Sequence, residues 1–222
     1  MLRSYREVLS EPHVARLLLT AMTARLPQGM SGLAILLLLT PSLGYGRAGV
    51  ATGMSVVTCG VSNVLLARSV DRVGARITLV PAAVAYLGGT LLLASLVDAG
   101  YAEQLVVCAA LGLVTGPISS VSRGLWPSML REDHVQVLYG LEATAQELVF
   151  IAGPAGVAFL AAATSAGTAL VLSGVLGLVG VLGYVTAPVF GRHARAPGEL
   201  RHKGVLRGRV AAYAAVGVCL TV

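Results

Sequence analysis

The sequence predicts an all-α, polytopic membrane bundle of six full spans followed by a seventh that is unfinished. Three observations predict it. Hydrophobic residues make up 56% of the 222 positions and charged residues only 12%, against roughly 25% charged in a soluble domain. Mean hydropathy is +0.82. The stretches 48–67, 77–97 and 148–191 hold no charged residue, and each reaches the ~20 apolar residues that a bilayer-crossing helix needs. The last would rise about 66 Å as one helix, roughly twice the hydrocarbon thickness. It is therefore expected to fold back, with the turn at "TSAGT" (164–168).

Taken in order, the expected spans are 14–39, 48–67, 77–97, 104–125, 137–163 and 166–190. "MLRSYREVLSEPHVAR" carries charges through the N-terminus, and no small-residue cleavage site follows the first apolar run. Span 1 is thus expected to stay in the protein rather than be removed as a signal peptide. Residues 1–190 form the expected six-helix domain and 191–209 a basic connection. Residues 210–222 rise only about 20 Å, short of a ~30 Å core, and read as an incomplete seventh span of a longer protein, the alternatives being a half-buried terminal segment or an interfacial helix.

Small residues four apart, Gly49 with Gly53 and Gly112 with Gly116, are expected at close helix contacts, as is the stripe Gly174, Gly177, Gly180 and Gly183. Pro27, Pro81, Pro117 and Pro154 each remove a backbone donor inside a span, so kinks are expected there. Cys59, Cys108 and Cys219 lie in apolar runs, with no zinc or disulfide spacing, and read as packing residues. No cofactor or metal is expected.

Arginine placement gives orientation. Arg3, Arg6, Arg16, Arg68, Arg72, Arg76, Arg123, Arg131 and the run from Arg192 to Arg209 fall on one side, with Arg47 alone on the other beside Asp98 and Glu103. The basic side, with the N-terminus, is expected in the cytoplasm. The pI of 9.7 thus reflects topology, and the expected partner is the lipid bilayer, not nucleic acid. Arginine over lysine, with heavy alanine, valine and glycine use, suggests a GC-rich bacterium and hence the plasma membrane.

Arg25 belongs to neither side. It sits inside "LLLTAMTARLPQGMSGLAILLLLTP", where a charge costs at least about 2.5–3.5 kcal/mol and marks a functional site whose partner comes from elsewhere in the chain. An intramembrane enzyme is a distant alternative: His13, His134, His193 and His202 all lie at or beyond span ends, and no Gly-x-Ser-x-Gly occurs.

The connection after span 2 reads "ARSVDRVGARITL" (67–79). On its own it is a tight turn in which Asp71 can cap the next helix. It also resembles the signature loop of the major facilitator superfamily: Asp71, Arg72, Gly74 and Arg76 match at their spacing, while Ala67 and Ala75 replace a glycine and a basic residue. The resemblance extends to topology over the whole chain. It implies the N-terminal half of a twelve-span secondary transporter, itself a 3+3 inverted repeat, with a C-terminal six-span half absent from this chain. "GPAG" (Gly153, Pro154) resembles the Gly-Pro element of antiporter branches, with Val157 and Ala158 in place of the glycine pair that should follow; helix packing explains it equally. "SRGLWP" (122–127) stands where drug/proton antiporters carry Arg-x-x-Gln-Gly.

For Asp71 the resemblance implies a gating latch, with Arg123 and Arg131 as the nearest partners. It implies alternating access with a small-molecule substrate and proton coupling, efflux being one direction; the alternative is a fragment or half-transporter that needs a partner half. Spans 1 and 5 would line one cavity. Arg25 lies about 16 Å beyond Val14 and Glu147 about 15 Å beyond Val137, so these two are expected to face each other, either as a structural ion pair or as the charged part of a substrate or proton site. Glu142 and Gln146, four apart, form another polar face of span 5, with Glu147 turned about 140° from Glu142.

Overall fold

The computed structural model describes Glu11 and residues 13–187. The basic connection, the seventh apolar run, Arg3, Arg6, His193, His202 and Cys219 lie outside the described residues, which hold helices and no strand. Five stretches are long and apolar enough to cross a membrane. The outward face is apolar as well: Leu19, Ile77, Val106, Ile151 and Phe159 are each 67–73% exposed. A surface of that kind belongs in lipid.

The first helix, α1 (Val14–Val73), has 60 residues and would be about 90 Å long if straight. It breaks at Gly44, whose φ of 74° and ψ of 163° fall in a region open essentially to glycine alone. There the chain turns back, because Val14 and Leu17 near one end and Val70 near the other pack in the same apolar cluster. Its arms, 14–43 and 45–73, correspond to expected spans 1 and 2. The second arm runs past residue 67, so Gly74 alone separates it from α2 (Ala75–Ser95). Gly74 has φ 98° and ψ 153°, again a glycine-only conformation.

Expected span 4 is two helices, α3 (Tyr101–Leu113) and α4 (Ile118–Leu125), followed by a 3₁₀ turn, Trp126–Ser128. The break has a local cause. Pro117 has no N–H, so the Leu113 carbonyl loses its helical donor. The Ser62 hydroxyl, on the second arm of α1, lies 2.6 Å from that oxygen and 3.1 Å from the Thr115 oxygen. A neighbouring serine thus takes over bonds that the break releases. The helices continue unbroken through Pro27, Pro81 and Pro154, so of the four expected positions Pro117 alone interrupts one.

Then come α5 (Glu132–Ala163), five residues longer at its start than expected, and α6 (Ala166–Val185). The turn between them lies at Thr164–Ser165, within the expected stretch. Ser165 caps α6 by accepting from the Thr168 N–H at 3.1 Å. Buried Gln104 closes the C-terminal end of α2, donating to the Leu96 and Val97 carbonyls at 2.8 Å each.

Glycine decides which helices touch. A Cβ added at Gly180 would stand 2.2 Å from the Ala24 nitrogen, at Gly177 2.6 Å from Pro27 and at Gly183 2.7 Å from Thr20, so most of the stripe on α6 packs against the first arm of α1. Gly174 faces Thr90 of α2 at 2.7 Å. Gly112 lies against Ser55 and Thr58, where an added Cβ would approach to about 2 Å, and Gly153 of α5 meets the Gly29 backbone at 2.8 Å. Gly49 and Gly53 do not share this role: nothing among the described residues lies within 4 Å of a Cβ placed at either.

The apolar interior is divided in two. One cluster gathers Leu17, Ala21, Trp126, Leu138 and Tyr184; the other gathers Met30, Leu39, Leu93, Val157 and Leu170. On α1 the seam falls between Ala24 and Met30, and on α5 between Leu138 and Val157.

Candidate functional site

Arg25 and Glu142 occupy that seam. Arg25 is 1% exposed and Glu142 3%, and an Arg25 Nη atom is ion-paired and hydrogen-bonded to Glu142 Oε1. The other carboxylate oxygen accepts from the Trp126 indole N–H at 3.2 Å. Glu142 is therefore held from two directions, by a guanidinium on α1 and by an indole on the turn after α4. Beside it Ser122 and Tyr184 share a buried hydroxyl–hydroxyl hydrogen bond of 3.0 Å. A buried pair with both carboxylate oxygens engaged is the arrangement in which attraction can offset desolvation.

This corrects the pairing expected for Arg25, which is with Glu142 and not Glu147. Depth explains the change. Counted from the actual start of α5 at Glu132, Glu142 lies about 15 Å along its helix, level with Arg25 at about 16 Å along α1. The crossing of Gly29 with Gly153 brings those two helices together within a few turns of the pair.

Glu147 is close by all the same. A half-open cavity of about 150 Å³ is lined by Arg25, Ser119, Arg123, Glu142, Gln146 and Glu147. The structure so unites all four residues expected at the site, Glu147 being exposed and Gln146 part-buried. It also adds Arg123, expected at the latch. Two buried polar atoms here have no hydrogen-bond partner, Arg25 Nε and Gln146 Oε1. Trp126 and Ser119 were not expected. The single tryptophan of the chain is the signal that could have found the first, because a buried indole N–H usually has a partner.

The signature-loop residues are placed differently. Asp71 and Arg72 lie on the last turn of α1 and Arg76 on the first turn of α2, all exposed. Asp71 does not cap α2: the N-cap position belongs to Gly74, without a side-chain bond, because α1 continues past Asp71 to Val73. Among the described residues Asp71 forms no ion pair with Arg123 or Arg131. Arg123 lines the cavity, and Arg131 is the N-cap residue of α5.

Fold and site define a class: a multi-pass helical membrane protein with a buried ion pair beside a half-open polar cavity. The family profile described as Major Facilitator Superfamily matches residues 17–222, and the chain belongs to that superfamily. Its members are transporters, not enzymes. No curated protein and no solved structure matches the chain.

Proposed function

We propose that this chain is the six-pass N-terminal half of a secondary active transporter that works by alternating access, with the cavity beside Arg25 and Glu142 on its small-molecule pathway. The observation that carries the reading is the ion pair itself. Ionisable groups inside a membrane bundle are costly and are retained where a pathway or proton relay needs them, and transporter sites lie near the bilayer midplane between repeats. Glu142, engaged through both oxygens, holds Arg25 in place. Glu147 lines the same cavity outside the pair, and in this reading it is the carboxylate that takes up and releases the coupling proton.

The open side of the cavity is where a second half would close it, so a half-transporter that needs a partner half is compatible with the same geometry. Exposed Asp71, Arg72 and Arg76 are then the latch of this half, engaging the other. The arginine asymmetry supports a bacterial plasma membrane with the N-terminus in the cytoplasm. Proton-driven solute flux in proteoliposomes holding the complete transporter tests the proton site. Glu147→Gln is expected to remove the dependence on the proton gradient while solute exchange persists at saturating solute. Full proton-driven accumulation by that variant would show that the proton is carried elsewhere.

A further inference from the structure

Resting on that transport reading, we infer that the cavity takes a small zwitterion, a molecule with one ammonium group and one carboxylate on a short skeleton. The charges of its wall are divided by helix. The donors come from α1 and α4: Arg25, whose buried Nε has no partner, and Arg123. The acceptors come from α5: Glu147 and Gln146, whose buried Oε1 has no partner. Arg25 and Glu142 neutralise each other. Arg123 and Glu147 do not, for both are exposed to the cavity they share and no ion pair joins them.

A ligand with a carboxylate alone would answer Arg123 and leave the ionised form of Glu147 without a counter-charge. An amine alone would do the reverse. A zwitterion satisfies both walls, its carboxylate toward Arg123 and its ammonium toward Glu147. A cavity volume of about 150 Å³ leaves room for a small ligand of this kind between the two walls.

The test is binding to the whole chain in lipid nanodiscs, read as a ligand-dependent rise in unfolding temperature. The probes are L-alanine and 4-aminobutyrate, with short and long charge separation, against propionate and propylamine. At least one zwitterion is expected to bind at least tenfold more tightly than either singly charged probe, and Arg123→Gln and Glu147→Gln are each expected to weaken it at least tenfold. Both side chains are exposed, so each variant is expected to unfold at the temperature of the unliganded parent. Propionate or propylamine binding as tightly as the zwitterions, no shift with either zwitterion, or unchanged binding in both variants would overturn the inference. Because binding is read without transport, the two failures separate. A zwitterion that binds but is not moved in proteoliposomes holding the complete transporter sinks the transport reading alone, while movement of singly charged solutes only sinks the ligand class alone.

Discussion

Two charged regions of this molecule are opposites. The loop around Asp71 matches a family pattern at four positions, yet its side chains are exposed and Asp71 has no ion-pair partner among the described residues. The seam around Arg25 and Glu142 matches no pattern, yet both charges are buried and joined to each other, with an indole N–H on the carboxylate. A motif that reads clearly in a sequence can belong to a surface that acts elsewhere. A buried site can be spelled by single residues far apart, 117 positions in this case, and becomes visible only when helix starts and crossings are known.

The contrast can be broken first at the seam. Glu142→Ala should strand the Arg25 charge and cost about 3–5 kcal/mol, read as a fall in the unfolding temperature of the purified chain. A paired replacement, Arg25→Met with Glu142→Leu, should restore most of that stability, because an apolar pair of similar volume is often neutral or better. If the double variant were no more stable than Glu142→Ala, the pair would not be the origin of the loss. Trp126→Phe should cost about 1.5–3 kcal/mol, the range for a hydrogen bond to a charged group, and that loss should vanish in the Arg25→Met, Glu142→Leu background.

Glycine substitutions sharpen the comparison next. Gly180→Ala and Gly112→Ala place a methyl group 2.0–2.2 Å from atoms of the facing helix, and overpacking of this kind costs about 1–3 kcal/mol. Gly49→Ala and Gly53→Ala, which meet nothing among the described residues, should be neutral in the same assay. Ser62→Ala should cost about 1–3 kcal/mol by leaving the Leu113 carbonyl unbonded. The smallest effect belongs to the loop: Asp71→Asn should change stability by less than about 0.5 kcal/mol. A larger stability loss would mean that Asp71 has a partner within this chain.

Much of the fold is legible in the sequence. Charge-free runs mark the helices, "TSAGT" the turn between α5 and α6, and the Asp71 loop the family. Arg25 points to a buried site because a charge in an oily helix is too costly to stand without a partner. The partner itself is hidden by a matter of counting: the mostly polar stretch 132–136 looks like a connection, but Arg131 serves as the N-cap and α5 already begins at Glu132, which moves the matching depth from Glu147 to Glu142. The Asp71 cap fails in the same way, since the helix before it runs on to Val73. Hydropathy marks where lipid begins, while backbone bonding marks where a helix does, and near a membrane surface the two differ by a turn or more.

The glycine stripe on α6 has one more consequence. With Gly177, Gly180 and Gly183 set against Pro27, Ala24 and Thr20, the segment that bears Arg25 touches α6 at near-backbone distance on both sides of the charge. Close-packed elements resist sliding, so a displacement of Arg25 would take α6 with it as a single rigid piece. Helix continuity is broken instead at 114–117, where two short helices meet and a serine hydroxyl stands in for helical bonds. Arg123 and Ser119 lie beyond that break and Arg25 on the close-packed piece, so any movement at the break would alter the cavity between them.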